Sequence, residues 1–205
     1  MTALRRGPAL FLDRDGSLIE EVGYLSRLEQ MRLLPRAAEA VRTANEAGMP
    51  VVVVSNQSGV ARGLIDEDFV ERSGAHLGEL LESAGARLDA IYTCPHHPAG
   101  NAPYNIVCPC RKPAPGMIER ACRDLALSAD GAFMIGDKVS DVETGKGLGI
   151  VPLLVRTGFG RGSERELPAD FARRGGRVFD DLAEAVDWAV GTQPVGGPQV
   201  LPNDS

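Results

Sequence analysis

Short apolar runs alternate along this chain with amphipathic stretches, a pattern typical of βα units that build a parallel sheet. Strands are predicted at 8–13, 50–54, 88–93, 132–136, 150–155 and 177–179, and helices at 35–48, 66–84, 115–127 and 181–190. The run Val51–Val54 is β-branched throughout, as expected of a central strand that is covered on both sides. The pattern therefore predicts an α/β fold with a Rossmann-like parallel sheet and helices on both faces.

The size and charge of the chain limit its organisation and its partners. Its 205 residues suffice for one α/β domain, predicted over 1–190, and the Gly- and Pro-rich segment 191–205 is predicted to be a disordered tail. A net charge of −6 argues against binding to nucleic acid. No apolar run approaches the ~20 residues that span a bilayer, and the N-terminus lacks the apolar segment of a secretory signal. We therefore expect no membrane partner and a cytoplasmic location.

Four polar segments border the predicted elements. Asp13–Gly16 follows the first strand, Ser55–Gly59 follows the second, Arg111–Pro113 precedes the third helix, and Gly136–Lys138 follows the fourth strand. Because the carboxyl ends of parallel strands meet in one crevice, we expect these segments to form one site. Its carboxylates, hydroxyl, backbone amides and ammonium suit the transfer of a phosphoryl group with help from a hard cation.

The first segment carries a pair of carboxylates. Asp13 and Asp15 stand two residues apart, so on an extended segment their side chains point the same way. Asp13 is expected to attack phosphorus and form an aspartyl phosphate, which divides one difficult hydrolysis into two easier steps. Asp15, kept protonated by the like charge beside it, would serve the leaving oxygen and then activate water. An Asp-x-Asp-Gly alone also occurs in calcium loops and surface turns, but the other segments favour catalysis.

The second and third segments supply groups that hold a phosphate. The Ser55 hydroxyl can bond a phosphate oxygen, and the turn that follows it can aim backbone amides at the same anion. Lys112 brings a compact positive charge to the transferring group. Arg111 could hold a second phosphate with its bidentate fork.

The predicted cation is Mg²⁺, which prefers oxygen ligands. We expect Asp13, Asp137 and a backbone carbonyl of Asp15 to hold it, and its charge to reduce repulsion between the nucleophile and an anionic substrate. Asp141 is expected to support the site from behind these ligands. Lys138 has two alternatives, since it could face the substrate or the Asp13 carboxylate.

A loop rich in cysteine precedes the third segment, and three thiolates with one imidazole are the usual ligands of a structural zinc ion. The predicted ligands are Cys94, His96, Cys108 and Cys110. A disulfide is disfavoured by the expected reducing compartment and the close spacing, and redox catalysis lacks a Cys-x-x-Cys. His97 competes with His96, and the Cys-x-His spacing favours His96. Zinc would stiffen the loop 94–110, which leads directly into Arg111 and Lys112.

Together these residues resemble the haloacid dehalogenase superfamily of aspartate-nucleophile phosphatases. The segments that match its four motifs are Asp13-x-Asp15-Gly16, Ser55, Lys112 and Gly136-Asp137. Longer matches resemble the D-glycero-D-manno-heptose 1,7-bisphosphate 7-phosphatase family; they are Phe11–Gly16, Ser55–Gly63, Cys94–Pro98 and Cys108–Pro113. The resemblance implies Mg²⁺-dependent release of the C7 phosphate in the synthesis of nucleotide-activated heptose, with no large cap domain. A small uncapped domain needs no partner to enclose its site, which favours a monomer acting on a phosphorylated sugar.

The same resemblance implies a set of substrate contacts. They are Glu21, Val22, Gly23, Tyr24, Ser55, Asn56, Gln57, Ser58, Arg111, Lys112 and Lys138. One alternative is a histidinol-phosphate phosphatase or another small sugar-phosphate phosphatase. The related histidinol-phosphate enzymes have a typically shorter zinc loop, and their fourth motif tends to read Gly-Asp-Arg where this chain has Gly-Asp-Lys. An alternative of another class is a catalytically inactive zinc-binding interaction module, which need not retain Asp13, Asp15, Lys112 and Asp137 together.

Overall fold

The computed structural model describes residues 7–192, at whose centre lies a six-stranded parallel sheet with the order β3-β2-β1-β4-β5-β6. The strands are β1 (Leu10–Leu12), β2 (Val51–Asn56), β3 (Ala90–Cys94), β4 (Phe133–Gly136), β5 (Val151–Val155) and β6 (Arg177–Phe179). The chain builds outward from β1 in both directions, so the strand order reverses beside β1. Ligands bind at such a switch point, outside the carboxyl ends of the strands.

Six α-helices accompany the strands within residues 7–192. They are α1 (Ala37–Glu46), α2 (Glu67–Ser83), α3 (Gly116–Leu125), α4 (Val139–Glu143), α5 (Gly160–Ser163) and α6 (Leu182–Gly191). Two of them begin at an aspartate cap: Asp66 accepts the backbone N–H of Phe69 (2.7 Å), and Asp181 accepts that of Glu184 (2.9 Å). Such caps satisfy amides that have no partner within the helix.

Alternation of side chains across the strands divides the core into two layers. Leu10 and Leu12 belong to the layer that packs against α1, α2 and α6, whereas Phe11 belongs to the layer that packs against α3. All three side chains are fully buried. Since burial of one such side chain contributes about 1.5–3 kcal/mol, apolar packing holds the short central strand from both faces.

The predicted fold class is confirmed, with differences in detail. All six strands were predicted, but α4 was not, and the predicted loop 157–176 contains α5 and two turns of 3-10 helix. The long connection from β1 to α1 holds one 3-10 turn, Leu28–Gln30, so residues 7–192 carry no large cap domain there. Helix α6 continues to Gly191, one residue into the segment predicted as a tail; residues 193–205 of that segment, like residues 1–6, lie outside the described range. Among residues 7–192, no helix combines the length and apolarity needed to cross a membrane.

Candidate active site

Asp13 is the first residue after the central strand, and its side chain is almost fully buried. Its backbone N–H donates to the Ile135 carbonyl of β4 (2.9 Å), so the sheet fixes the position of this residue. Lys112 Nζ lies 2.7 Å from Asp13 Oδ1. Burial raises the pKa of Asp13 to about 6, although the charge of Lys112 opposes the shift. The switch point of the sheet thus holds a buried carboxylate that has an ammonium partner.

Lys112 reaches this carboxylate because its backbone is fixed. Its N–H donates to Asn56 Oδ1 (3.0 Å), and its carbonyl accepts from Asn56 Nδ2 (3.1 Å), which joins the exit of the cysteine loop to the end of β2. Nζ lies 2.7 Å from both Asp13 Oδ1 and Asp141 Oδ1. Burial alone would lower the pKa of Lys112, but the two carboxylates raise it above the usual value. The side chain is therefore a buried cation between two buried anions.

Three buried carboxylates form a group of the size that a metal ion requires. Oxygen atoms of Asp13, Asp137 and Asp141 all lie within 4.8 Å of one another. Asp137 Oδ1 is buried and has no hydrogen-bond partner among residues 7–192, while Oδ2 accepts the N–H of Phe159 (2.8 Å). Burial and then the charge of Asp13 raise the pKa of Asp137 to about 8. An all-oxygen group with an orphaned oxygen and uncompensated charge fits Mg²⁺.

Glycine makes room for this acidic group. Gly16 has a φ of +86°, and a Cβ at that position would lie 2.2 Å from Asp137 Oδ2. A Cβ at Gly136 would lie 2.4 Å from the Cβ of Asp141. Any larger residue at either position would displace a carboxylate of the group.

Asp141 lies against the other two carboxylates. We expected it to support the ligands from behind; its oxygens contact Lys112 Nζ (2.7 Å) and the N–H of Lys138 (3.0 Å), and one of them lies within 4.8 Å of an oxygen of each other aspartate. Helix α4 begins at Val139, two residues after Asp137, and returns Asp141 to the strand end. The i, i+4 spacing of the two aspartates is the sequence signal for this contact.

Asp15 occupies different surroundings from those the sequence suggested. Its carboxylate accepts from Arg14 Nε and Nη2 (3.0 Å each) and from Gln57 Nε2 (3.0 Å). Arg14 is itself buried, and its Nη1 donates to Ser73 Oγ of α2 (3.0 Å). Three side-chain N–H contacts therefore hold the Asp15 carboxylate, beside the charge of Asp13 that the sequence led us to expect. The missed residue is Arg14, which an extended strand would have pointed to the opposite face.

Ser55 ends β2 and is buried beside the carboxylates. Its hydroxyl oxygen accepts from Gln57 Nε2 (2.8 Å), so the hydroxyl hydrogen is left to donate. The turn that follows is closed by bonds from the N–H groups of Val60 and Arg62 to the Gln57 and Ser58 carbonyls (3.2 and 3.1 Å). This geometry suits the predicted contact with a phosphate oxygen.

An open cavity of about 410 Å³ lies over this edge of the sheet. The predicted substrate residues that line it are Glu21, Gly23, Tyr24, Asn56, Gln57, Ser58, Arg111 and Lys138. Val22 is exposed outside it, and Ser55 and Lys112 are buried instead of lining it. Phe159 and Ser140 also line it, and the sequence pattern did not indicate either. A larger cavity of about 810 Å³ lies along α2 and includes none of the predicted catalytic residues.

Lys138 lines this cavity, which is the first of the two positions that the sequence left open for it. Its Nζ lies 3.1 Å from Glu21 Oε2 and 4.9 Å from the centre of the Phe159 ring. Glu21 is held in turn by the N–H of Gly23, which donates to Oε1 (2.7 Å). Burial opposes the charge of Lys138, but Asp13, Asp137 and Glu21 raise its pKa. Lys138 thus lies at the cavity wall, paired with Glu21 and not with Asp13.

The four predicted zinc ligands lie together at the end of β3. Ligand atoms of Cys94, His96, Cys108 and Cys110 are within 4.8 Å of one another, and none of these cysteines forms a disulfide. Three thiols and an imidazole are the ligand set of a tetrahedral structural zinc ion. Zinc–sulfur bonds of ~2.3 Å place sulfurs about 3.8 Å apart, so the Cys110 sulfur, 2.7 Å from that of Cys108 and 2.6 Å from that of Cys94, would move outward as the ion enters. His97 is directed elsewhere, since its Nδ1 accepts the N–H of Ala99 (3.1 Å).

The cysteine cluster also holds Arg111. Arg111 Nη1 donates to the carbonyl of His96 (3.1 Å), so the residue that lines the cavity is tied to a predicted zinc ligand. Burial raises the pKa of Cys94 and of Cys110, which means that without a metal these thiols hold their protons. Zinc binding would release those protons and stabilise the loop.

We expect the Cys108→Ser variant to lose bound zinc and about 10-fold or more in kcat/KM, because the loop that carries Arg111 and Lys112 would no longer be held. Zinc content by elemental analysis and steady-state kinetics check this. Cys122→Ser is the matched control, since Cys122 lies in α3 away from the cluster and should keep one zinc per chain. Equal zinc content in both variants would contradict the assignment.

Comparison with known proteins extends these observations over most of the chain. A family model described as HAD-hydrolase-like matches residues 109–185. A D-glycero-D-manno-heptose-1,7-bisphosphate 7-phosphatase from Thermosynechococcus vestitus is 43% identical over 188 residues, covering 88% of this chain and 94% of that protein. A D-glycero-beta-D-manno-heptose-1,7-bisphosphate 7-phosphatase from Pasteurella multocida is 37% identical, covering 86% and 93%.

A solved structure is similar over the same extent. The crystal structure of D,D-heptose 1,7-bisphosphate phosphatase from B. bronchiseptica, complexed with magnesium and phosphate, superposes with a TM-score of 0.79. It is 31% identical and covers 90% of this chain and 98% of that chain. That neighbour contains the cation that the acidic group fits and the anion that the site's cations suit.

Proposed function

Because the chain belongs to the D-glycero-D-manno-heptose-1,7-bisphosphate 7-phosphatase family of HAD-like hydrolases, as its motifs predicted, we propose that it removes the C7 phosphate of D-glycero-D-manno-heptose 1,7-bisphosphate. Inorganic phosphate and heptose 1-phosphate are the products. The observation that carries the proposal is a single cavity lined by Asp15, beside the proposed nucleophile, and by Arg111, a second cation for a second phosphate.

The first step is attack by Asp13 on the phosphorus of the C7 phosphate. A bond forms between a carboxylate oxygen and phosphorus, and the bond from phosphorus to the C7 oxygen breaks. Lys112, 2.7 Å from Asp13, holds the carboxylate in place, and its positive charge attracts the negatively charged phosphate ester. The Ser55 hydroxyl donates to a phosphate oxygen and so orients the group for attack.

Mg²⁺ would be held by Asp13, by Asp137 and by either the Asp15 carbonyl or the Asp141 carboxylate. Its positive charge would let a carboxylate and a phosphate dianion approach each other. Lys112 already contacts two carboxylates, and its single positive charge does not balance the three carboxylates of the acidic group.

Asp15 is the proposed proton carrier of both steps. It gives a proton to the C7 oxygen as that oxygen leaves, and it later accepts a proton from the water that attacks the aspartyl phosphate. To reach the leaving oxygen, the Asp15 carboxyl must exchange its contacts with Arg14 and Gln57 for one with the substrate.

The proposed substrate is a sugar bisphosphate, and histidinol phosphate is the competing candidate. Relatives at 37–43% identity carry the heptose name, and Arg111 provides a cation that a monophosphate would leave unused. We also propose that the protein acts as a cytoplasmic monomer with no nucleic-acid partner. Light scattering at working concentration tests the monomer, and a mass near 21.8 kDa is expected.

With Mg²⁺ present, we expect kcat/KM for one anomer of heptose 1,7-bisphosphate to exceed that for histidinol phosphate by about 10²-fold or more, since a substrate without a second phosphate leaves the partly buried Arg111 guanidinium unmatched. Phosphate release from both anomers and from histidinol phosphate measures this. Phosphorus NMR of the product distinguishes heptose 1-phosphate from heptose 7-phosphate. A preference for histidinol phosphate, or release of the C1 phosphate, would exclude the proposed substrate.

A further inference from the structure

Three loops meet at the end of the cavity that contains Arg111. Tyr24 comes from the connection after β1, Arg62 from the turn after β2, and Arg111 from the exit of the cysteine loop. The turn and the cysteine loop are joined by a hydrogen bond from the N–H of Asn101 to the carbonyl of Ala61. The Arg62 guanidinium lies 5.9 Å from the centre of the Tyr24 ring. Arg62 is thus an exposed residue beside the cavity: its side chain lies against Tyr24, and the residue before it is bonded to the cysteine loop.

The charges of Arg62 and Arg111 have no acidic counterpart. Within residues 7–192, neither guanidinium forms an ion pair with a carboxylate, whereas exposed arginines elsewhere, such as Arg36 and Arg156, each pair with two or more. Burial and then the charge of Arg62 lower the pKa of Arg111, which indicates that the two cations repel each other. One unneutralised guanidinium that lines the cavity, and a second that lies against the Tyr24 ring of the same lining, favour a doubly charged anion.

We propose that Arg62 is a specificity-determining residue whose guanidinium, together with that of Arg111, receives the phosphate of the substrate that is not hydrolysed. This inference rests on the proposed function and extends it. The Tyr24 ring supports one face of the Arg62 guanidinium and leaves its N–H edge free to donate. Arg111 is held in place by its hydrogen bond to the His96 carbonyl. Arg62 would move toward the bound anion.

The roles of the two arginines differ in what they require. Arg111 depends on the zinc loop for its position, whereas Arg62 depends on the turn after β2 and on Tyr24. Arg62 does not contact Asp13, Lys112 or Asp15, so its removal should leave the chemistry intact. The effect should therefore appear only with substrates that carry a second phosphate.

The test compares heptose 1,7-bisphosphate with heptose 7-phosphate in the Arg62→Gln variant. We expect kcat/KM for the bisphosphate to fall about 10–100-fold, mainly through KM, and kcat/KM for the monophosphate to change less than about 2-fold. Arg62→Lys should lie between, because it keeps the charge and loses the fork. Arg72→Gln, an exposed arginine of α2 outside this cavity, is the control and should match the parent with both substrates.

Inhibition of p-nitrophenyl phosphate hydrolysis separates this inference from the proposed function. Even if neither heptose ester is hydrolysed, the inhibition constant of the bisphosphate should rise about 10-fold or more in Arg62→Gln, and that of the monophosphate should not. Absence of heptose turnover would overturn the proposed function alone. Equal effects on both heptose esters, or no effect on either, would overturn the role of Arg62.

Discussion

The Asp13→Asn variant is expected to lose about 10⁴-fold or more in kcat for the heptose bisphosphate while it remains folded. An amide in place of the carboxylate cannot form the aspartyl phosphate, and removal of a nucleophile costs several orders of magnitude in rate. The fold should persist because Lys112 keeps its contact with Asp141, 2.7 Å away, and the backbone bond from Asp13 to Ile135 does not involve the side chain.

Single-turnover kinetics and circular dichroism measure the two halves of this expectation. Asp187→Asn is the matched control, since it makes the same change at an exposed carboxylate of α6 whose nearest cation, on Arg36, is 3.9 Å away. The control should retain the activity of the parent. If Asp13→Asn kept more than about a tenth of the parent kcat, another group would have to be the nucleophile.

The Lys112→Met variant is expected to lose both activity and stability. Lys112 is the ammonium shared by two buried carboxylates, and its removal leaves Asp13 and Asp141 without their cation. Breaking one partner of a buried pair costs about 3–5 kcal/mol of unfolding free energy. Loss of a group that stabilises charge at the transferring phosphoryl lowers kcat by about 10²–10³-fold.

Denaturant unfolding and steady-state kinetics test Lys112→Met against Lys146→Met. Lys146 is an exposed lysine that pairs with Asp170 at 2.9 Å, and a surface pair of this kind contributes about 0–1 kcal/mol. The control should therefore differ from the parent by less than about 1 kcal/mol and keep its activity. Equal free energies of unfolding for the two lysine variants would contradict a stabilising role for the buried contacts of Lys112 with Asp13 and Asp141.

The convergence of the catalytic segments was predictable because parallel strand ends share one edge. Asp13 directly follows β1 and Ser55 lies near the end of β2, and these strands are neighbours in the sheet, so the expected meeting of strand ends brings the two residues together. Lys112 was predictable as a cation that leaves the cysteine loop. How deeply Lys112 is buried was not predictable, because its position depends on two hydrogen bonds between its backbone and the Asn56 side chain.

Other features depend on local turns or distant chain segments that a pattern of apolar residues does not report. We expected the charge of Asp13 to be the main influence on Asp15. Strand β1 ends at Leu12, and the chain then turns so that the Arg14 guanidinium contacts the Asp15 carboxylate as well. Phe159 lines the cavity from a segment that looked like an irregular loop, and nothing near it in the sequence indicates contact with Lys138. Side-chain pairs of this kind become visible only once the sheet order is known.

Labelling of the protein by substrate tests the central claim most directly. Heptose 1,7-bisphosphate carrying ³²P at C7 is mixed with the Mg²⁺-loaded protein, and the reaction is stopped with acid within one turnover. With the C7 label, we expect ³²P on the peptide that contains Asp13, and hydroxylamine should release it. With ³²P at C1, we expect no label on the protein. Full turnover with no label on Asp13 at any stopping time, or label on another residue, would contradict it.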